Sequence, residues 1–392
     1  MKSRVLFLVF LTVFLDFVGL GIILPVLPFY VQAMGGSAQT VGWLLASFSL
    51  TQFLATPVFG SLSDRCGRRL IIAVSLAGQM TSMVAFAWGT KLQLLPILFL
   101  ARVFSGATAG NVATCQAVVA DVTSGPERAR GMGRVGAGIG LGFVAGPILG
   151  GTLSPLGPAA PALAAAGLAL VGLVAVLLWM PETRDMAAAV GDRVSSGRAV
   201  TFPAHLLRDS RVIRSLLIYF LAFAGMTGLQ VAAALLGQER LGWAEREAGY
   251  AFTLFGIVMV IVQVGLVGWF TRVMGELNAM RAGSIGMAAG MAGLAAAHSN
   301  AFVVGALVVL AAGMALISAV VPSKASTYAG PAEQGAVLGV LQSAGGLARA
   351  VGPVWAGFLC ARFTPSAPFV FASVMAVVSY AVATSLPPAR HS

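Results

Sequence analysis

Long apolar runs alternate with short polar segments along the whole chain, and this alternation predicts the architecture. A helix needs about 20 apolar residues to cross the hydrocarbon core of a bilayer. Twelve runs are suitable, and they fall near residues 5–31, 41–61, 70–89, 93–119, 132–154, 159–180, 212–236, 248–270, 280–297, 301–322, 336–360 and 367–387. We therefore predict an all-α membrane protein with twelve transmembrane helices, called spans 1 to 12 below.

The first run could be read as a secretory signal, because Lys2 and Arg4 precede it. It extends to Tyr30, however, which is longer than the roughly 7–15 apolar residues of a signal peptide. A cleavage site of small residues does not follow it. We interpret this run as a retained first helix.

Lys and Arg are unevenly distributed between alternate polar segments. With the N-terminus inside, most of the 24 Lys and Arg lie in inner segments, and the outer loops hold only Lys91, Arg240, Arg246 and Arg362. Cytoplasmic loops of membrane proteins carry such an excess. We predict that both termini are cytoplasmic.

The longest inner segment, about 181–211, divides the chain near its middle. Within it, Pro203–Arg211 reads either as a short interfacial helix or as a simple linker. The segment predicts an N-terminal six-helix bundle at 1–183, a cytoplasmic linker at 184–211 and a C-terminal six-helix bundle at 212–392.

An internal repeat supports two pseudo-symmetric halves. Glu127 precedes Gly146-Pro147 by 19 residues, Glu333 precedes Gly352-Pro353 by 19 residues, and the two sets are 206 residues apart. Pro181 and Pro387, which end spans 6 and 12, have the same offset. Transporter repeats of this kind commonly enclose a substrate site near the bilayer midplane.

Composition excludes several classes of protein. Only 9% of residues are charged, against about 25% in soluble domains. The net charge of +11 does not indicate nucleic-acid binding, because the basic residues lie in short loops instead of on one soluble face. Metal-ligand spacing such as C-x-x-C is missing, and so is a nucleophile–base motif. The chain also lacks a Walker A sequence, so ATP-driven pumping is not expected.

The loop after span 2 carries the most specific motif. It reads Gly60-Ser-Leu-Ser-Asp64-Arg65-Cys-Gly67-Arg68-Arg69, with glycines for a tight turn and alternating charges for salt bridges. This resembles the G-x-L-x-D-R-x-G-R-[RK] signature of the major facilitator superfamily. The resemblance implies a transporter made of two six-helix bundles.

Further motifs narrow the resemblance to the twelve-span drug:proton antiporter branch. They are Leu15-Asp16-x-x-Gly19-x-Gly21-x-x-x-Pro25-x-x-Pro28 in span 1, Arg102-Val-Phe-Ser-Gly106 in span 4, a glycine-rich motif in span 5, and Pro181-Glu182-Thr183 after span 6. The stretch Ala120-Asp121-Val122-Thr123 with Glu127-Arg128 is most similar to tetracycline-efflux transporters.

Two departures from that branch limit what the resemblance implies. Spans 3, 8 and 9 contain no acidic residue or His, so a tetracycline–metal chelate is in doubt as the substrate. In the second half, Thr271 stands where the first half has Asp64. We therefore expect a charged latch that is strong in the first half and weak in the second.

Asp16 is the one acidic residue deep within a predicted span. Ionisable groups in membranes are expensive and usually functional. Arg102 enters span 4 from the other side to a similar depth, so the two side chains could face each other. Because burial and a nearby cation act oppositely on a carboxylate, the pair predicts proton coupling; a purely structural Asp16 is the alternative.

The resemblance assigns Asp64, Arg65, Arg68 and Asp121 to a gating latch. In the family, the matching residues bridge span 2 to span 4 and to the start of span 11, and favour the outward-open state. Isolated surface charge is the alternative interpretation, since an exposed salt bridge contributes only about 0–1 kcal/mol.

The glycine-rich motif of span 5 resembles the one associated with exporters. It is expected to bend the helix and to let span 8 pack on it, although close packing without a mechanistic role is an alternative. Its members are Gly142, Gly146, Pro147, Gly150 and Gly151.

Arg349, in span 11, is the second deep cation, and it could either attract an anionic group of a substrate or cap backbone carbonyls. With Asp16 ionised, Asp16, Arg102 and Arg349 sum to one positive charge. This disfavours a dicationic substrate and suits a neutral, zwitterionic or weakly acidic amphipath. Other candidate cavity residues are Phe17, Phe48, Gln52, Asn111, Gln116, Phe223, Gln230, Phe252, Phe255, Gln263 and Gln342.

The sequence as a whole predicts a monomeric, multi-pass protein of a bacterial cytoplasmic (inner) membrane. Its expected function is proton-coupled efflux of a small amphipathic compound, with the proton gradient in place of a cofactor. Proton-coupled or facilitated uptake of a metabolite is an alternative. A lipid-moving or receptor protein on the same scaffold is another, because a fold does not fix a function.

Overall fold

A computed structural model describes residues 2–183, 208–330 and 333–386, and within these ranges the chain consists of helices joined by short turns. The helices are α1 (Lys2–Ile23), α2 (Leu27–Ala33), α3 (Ala38–Cys66), α4 (Arg68–Leu92), α5 (Leu95–Ala107), α6 (Asn111–Val122), α7 (Gly125–Leu153), α8 (Ala160–Trp179), α9 (Ser210–Leu241), α10 (Glu245–Ile261), α11 (Val267–Ala295), α12 (Asn300–Ser326), α13 (Gln334–Arg362) and α14 (Ala367–Thr384). Most of the predicted linker, most of Pro203–Arg211, and Pro387 lie outside the described residues.

Eleven helices in the described ranges are long and apolar enough to cross a membrane. The longest, Glu245–Ala295, has 51 residues. At 1.5 Å per residue it would measure about 77 Å if straight, far more than the roughly 30 Å hydrocarbon core. Gly275 interrupts it with a φ of 78°, so it supplies spans 8 and 9. The twelve predicted spans are confirmed on this basis.

Two other spans are broken for local reasons. Span 1 consists of α1 and α2, and the break falls at residues 24–26, which include Pro25. Proline lacks a backbone N–H and cannot continue the hydrogen-bond ladder. Span 4 consists of α5 and α6, separated at residues 108–110. In span 8, α10 passes into a π-helical turn, Val262–Leu266.

The described residues divide into two compact units. Unit 1 comprises 2–36, 47–183 and 245–253. In it, α1 packs on α6, α7 and α8, and α4 packs on α5, α6 and α8. Aliphatic side chains from these helices form its core, including Val9, Val13, Leu76, Val118 and Val176.

Unit 2 comprises 37–46, 208–244 and 254–386. Here α9 packs on α12, α13 and α14, and α11 packs on α12 and α14. Glycines allow α11 and α12 to approach closely: a Cβ at Gly313 would lie 2.6 Å from the backbone nitrogen of Met287. Small residues of this kind are typical of helix interfaces in membranes. The boundaries of the six-helix halves stay a prediction.

Candidate functional site

Asp16 lies within α1, in unit 1, and its carboxylate meets α6 where span 4 is broken. The side chain of Asn111, the first residue of α6, is its polar neighbour. Asn111 is buried and Asp16 is half-buried. Among the ion pairs of the described residues, none includes Asp16. The carboxylate therefore has a neutral partner and no cationic one.

Arg102, in α5, has a different environment from the one that the sequence suggested. Its side chain is only 1% exposed, and its guanidinium carbon lies 4.4 Å from the centre of the Phe48 ring. A cation over an aromatic face is attracted by the ring. Its Nε and Nη1 atoms have no hydrogen-bond partner. The structure thus places Arg102 against Phe48 and does not bring it into an ion pair with Asp16.

The residues of the predicted latch meet at the end of unit 1 that the sequence predicts to be cytoplasmic. Arg68 begins α4, and its Nη1 lies 2.5 Å from Asp64 Oδ1. Its Nε lies 3.0 Å from Asp121 Oδ2, in the last turn of α6. Arg68 and Asp121 are each 8% exposed. Arg65, in contrast, has an exposed side chain. A buried, hydrogen-bonded pair is much harder to break than an exposed one.

Glu182 completes this cluster and has a role that its motif did not reveal. Its carboxylate accepts hydrogen bonds from the backbone N–H groups of Arg68, at 2.9 Å, and Arg69, at 3.2 Å. These are among the N–H groups that lack a partner within a helix. Gly67 has a φ of 98°, and a Cβ on it would collide with Glu182. Gly67 therefore allows the backbone to turn and also leaves room for the capping carboxylate of Glu182.

The glycine-rich motif of span 5 faces two neighbours within unit 1. Gly142 and Gly146 lie against α1: a Cβ at Gly146 would be 2.7 Å from the Cα of Gly21. Pro147 contacts both neighbours, because its ring lies near Gly21 of α1 and its carbonyl oxygen near α10, and Gly151 lies against the start of α10. There, a Cβ at Gly249 would be 2.6 Å from the carbonyl oxygen of Pro147. Gly150 faces α1, like Gly146. The contact between spans 5 and 8 is therefore made by two of the five predicted residues.

The candidate substrate residues divide between the units. In unit 1, the Phe17 ring packs edge-on against Phe143 at 5.1 Å, Gln52 is half-buried, and Asn111 is a neighbour of Asp16. In unit 2, Arg349 lies over Phe223, with 5.4 Å from guanidinium carbon to ring centre. The other members of unit 2 are Gln230, half-buried; Phe255, buried; Gln263, exposed in the π-helical turn; and Gln342, exposed.

Unit 2 also contains an ion pair that the motif comparison missed. Lys324 Nζ, near the end of α12, lies 3.6 Å from Glu276 Oε2, and Ser323 Oγ donates to Glu276 Oε1 at 2.8 Å. Glu276 directly follows Gly275, as Arg68 directly follows Gly67. The sequence comparison looked for an acid in the place of Asp64 and found Thr271, so it overlooked this pair, in which the acid follows the glycine. Thr271 bonds only within its own helix, to the carbonyl of Val267 at 3.0 Å.

Metal chemistry has little support at these sites. Within the described ranges, no group of three or more His, Cys, Asp or Glu side chains could hold a metal ion. What the arrangement offers instead is a half-buried carboxylate, two deep arginines with aromatic neighbours, and charged clusters at helix ends.

These features define a membrane transporter, and the chain belongs to the Major Facilitator Superfamily, whose family model matches residues 9–230 and 215–392. The predicted fold and family are confirmed, and the chain is a multi-pass membrane transporter and not an enzyme.

Individual relatives are efflux and transport proteins. Tetracycline resistance protein, class C, of Escherichia coli is 35% identical over 325 residues, which cover 80% of this chain and 79% of that protein. Multidrug resistance protein 2 of Bacillus subtilis (strain 168) is 27% identical and covers 70% and 69%. The crystal structure of the human organic anion transporter MFSD10 (TETRAN) is 26% identical, with a TM-score of 0.69 and coverage of 97% and 99%.

Proposed function

We propose that this protein exports a small amphipathic compound from a bacterial cell in exchange for protons. The observation that carries the proposal is Asp16, a carboxylate within a span that has the neutral Asn111 as its neighbour and no ion-pair partner among the described residues. A carboxylate without a fixed cation can exist both ionised and protonated, as a coupling group must. The similarity to tetracycline and multidrug resistance proteins favours export over uptake.

The proposed cycle has three steps. Substrate enters from the cytoplasm or the inner leaflet while Asp16 is ionised. The two halves then rock, so that substrate faces outward, in the manner of transporters with repeated halves. Asp16 takes a proton from outside, substrate leaves, and the proton is released inside on return.

The preferred substrate is neutral, zwitterionic or weakly acidic. Arg102 and Arg349 outnumber Asp16 among the deep charges, and this excess disfavours a dication. The similarity to a human organic anion transporter supports the acidic end of this range. Strong export of a permanent cation such as ethidium would contradict it.

Proton movement in reconstituted vesicles tests the proposal. A pH gradient is imposed, a panel of neutral, acidic and cationic amphipaths is added, and the wild type is compared with Asp16→Asn. The exposed Glu127→Gln serves as the matched control. We expect some compounds to dissipate the gradient in the wild type and in the control only. If the wild type and Asp16→Asn behave alike, proton antiport through Asp16 is wrong, and uptake or lipid handling becomes the better hypothesis.

A further inference from the structure

The internal repeat can be aligned residue by residue through contacts inside each unit. In unit 1, Gly21 of α1 lies against Gly146 of α7; in unit 2, Thr227 of α9 lies against Gly352 of α13. Both members of the second pair are 206 residues beyond those of the first. The same register relates α1 to α9 and α7 to α13, so other pairs of positions on these helices can be compared directly.

One such pair differs in chemistry. In unit 1, Phe17 and Phe143 form an edge-on ring pair at 5.1 Å. Adding 206 to each number gives Phe223 and Arg349, where the guanidinium carbon lies 5.4 Å from the ring. An aromatic pair in one half thus corresponds to an aromatic–cation pair in the other.

Further polar and aromatic groups surround Arg349. Tyr219 lies one turn before Phe223 on α9, with ring centres 4.6 Å apart, and the Gln342 side chain is a neighbour of its hydroxyl. Gly345 leaves room between them, because a Cβ there would be 2.9 Å from the Tyr219 ring and 3.5 Å from Arg349 Nη1. Two rings, an amide and a guanidinium therefore converge at one place on α9 and α13.

The charge of Arg349 is unbalanced in its surroundings. It lies in the middle of α13, and no carboxylate in the described part of unit 2 forms an ion pair with it. A cation at this depth is costly unless it is paired. Arg102, the other deep arginine, is sealed at 1% exposure, whereas Arg349 is half-buried and its neighbour Gln342 is exposed. Of the two deep arginines, Arg349 is therefore the more accessible.

We propose that Tyr219, Phe223, Gln342 and Arg349 form a subsite for the acidic group and adjoining ring of an aromatic organic anion. The carboxylate or phenolate oxygen would accept hydrogen bonds from Arg349, with the Gln342 amide or Tyr219 hydroxyl as a second donor. The ring of the ligand would pack on Phe223. This inference rests on the proposed function and deepens it, because it names the class of substrate and the residue that selects it.

Binding of two related dyes tests the subsite. Fluorescein is an aromatic carboxylate, and rhodamine 123 shares its three-ring scaffold but is cationic and has no free carboxylate. Fluorescence polarisation with purified protein in detergent, at one pH and without a gradient, gives both affinities. We expect the wild type to bind fluorescein more tightly than rhodamine 123.

Three variants identify the cause of that preference. Arg349→Phe recreates the ring pair of unit 1 and should weaken fluorescein binding about tenfold or more, the effect of a lost charged hydrogen bond, without weakening rhodamine 123 binding. Arg349→Lys should bind fluorescein with an affinity between those of the wild type and Arg349→Phe. It also allows the test to be made if Arg349→Phe does not fold. Phe143→Leu, at the equivalent position of unit 1, should leave the ratio of the two affinities unchanged.

Several outcomes would overturn the subsite: failure of the wild type to bind fluorescein, tighter binding of rhodamine 123, or fluorescein binding that is unchanged in both Arg349 variants. Because no proton gradient is present in this assay, its result does not depend on whether transport is coupled to protons. If no compound moves protons through the wild type while the preference for fluorescein is intact, the proposed function alone is contradicted.

Discussion

In each unit an ion pair joins the start of one span to the end of the next, spans 3 and 4 in unit 1 and spans 9 and 10 in unit 2, but the two pairs have opposite polarity. In unit 1, a cation, Arg68, follows Gly67 at the start of a helix and meets Asp121 at the end of another. In unit 2, an anion, Glu276, follows Gly275 and meets Lys324. The two glycines have similar backbones, with φ of 98° and ψ of 149° at Gly67 and φ of 78° and ψ of 159° at Gly275.

The helix dipole explains why the two clusters are built differently. Helix starts favour anions and helix ends favour cations, so Glu276 and Lys324 are each well placed. Arg68 and Asp121 are each placed against the dipole. Unit 1 compensates with other side chains: Glu182 caps the start of α4.

The end of α6 is compensated in the same way. Arg128 donates to the carbonyl oxygens of Ala120 and Thr123, at 3.3 and 3.4 Å. The first-half latch is thus a network in which each member depends on the others, whereas the second-half pair is locally stable. The first-half network is therefore the one that fits the predicted latch, and that role stays a prediction.

Removal of the cation in each unit should give the largest contrast. Arg68→Ala leaves Asp121, 8% exposed, as a buried charge without its partner, and we expect a loss of about 3–5 kcal/mol of stability. Lys324→Ala is the matched variant. Glu276, whose side chain is 33% exposed, can then still bind water and Ser323. We expect Lys324→Ala to lose about 1 kcal/mol of stability. Thermal unfolding in detergent measures both; equal losses would contradict the comparison.

Exchange of the charges within each pair should have the next largest effect. Arg68→Glu with Asp121→Arg aligns both charges with the helix dipoles but sets an acid beside Asp64 and Glu182, so we expect clear destabilisation. Adding Glu182→Gln should partly restore stability, because it removes one of these repulsions.

The same exchange in unit 2, Glu276→Lys with Lys324→Glu, opposes both dipoles and should cost about 1 kcal/mol. Thermal unfolding and transport rate are measured for both double variants. A first-half exchange that is tolerated as well as the second would show that Glu182 contributes nothing.

Substitution of the two turn glycines should separate the cost of backbone strain from the cost of losing the Glu182 cap. Gly67→Ala and Gly275→Ala both force alanine into a positive φ, which costs about 1–2 kcal/mol. A Cβ at Gly67 would also displace Glu182, whereas one at Gly275 meets nothing within 4 Å. Gly67→Ala should therefore be worse by about 1 kcal/mol, the usual loss of a helix cap. Thermal unfolding of both variants measures the two losses. A larger loss for Gly275→Ala than for Gly67→Ala would count against the capping role of Glu182.

Neutralising the cap alone should have the smallest effect. Glu182→Gln keeps an acceptor for the N–H groups of Arg68 and Arg69 but loses the interaction of its charge with the start of α4. We expect a loss of about 0.5 kcal/mol, and less at high salt. Glu239→Gln, an exposed acid in the last turn of α9, is the control and should not be destabilised. An effect of Glu182→Gln that is independent of salt would argue against the dipole explanation.

The sequence identified the residues of the candidate site, but it did not predict which of them contact each other. Asp16 and Asn111 were both identified from the sequence, but not as partners. Arg102 was expected to face Asp16 and instead packs on Phe48. Arg349 was singled out from the sequence, yet its alignment with Phe143 became visible only through the helix contacts of each unit.

The sequence by itself determined the spans, the family and the places where helices turn. These follow from hydropathy, proline and glycine, which act on a residue and its near neighbours along the chain. Only the tertiary structure decided which charges meet. Glu182 caps a helix 114 residues before it, and Ser323 binds an acid 47 residues away. Such pairs depend on where the helix ends lie in space, and hydropathy and turn residues along the chain do not determine those positions.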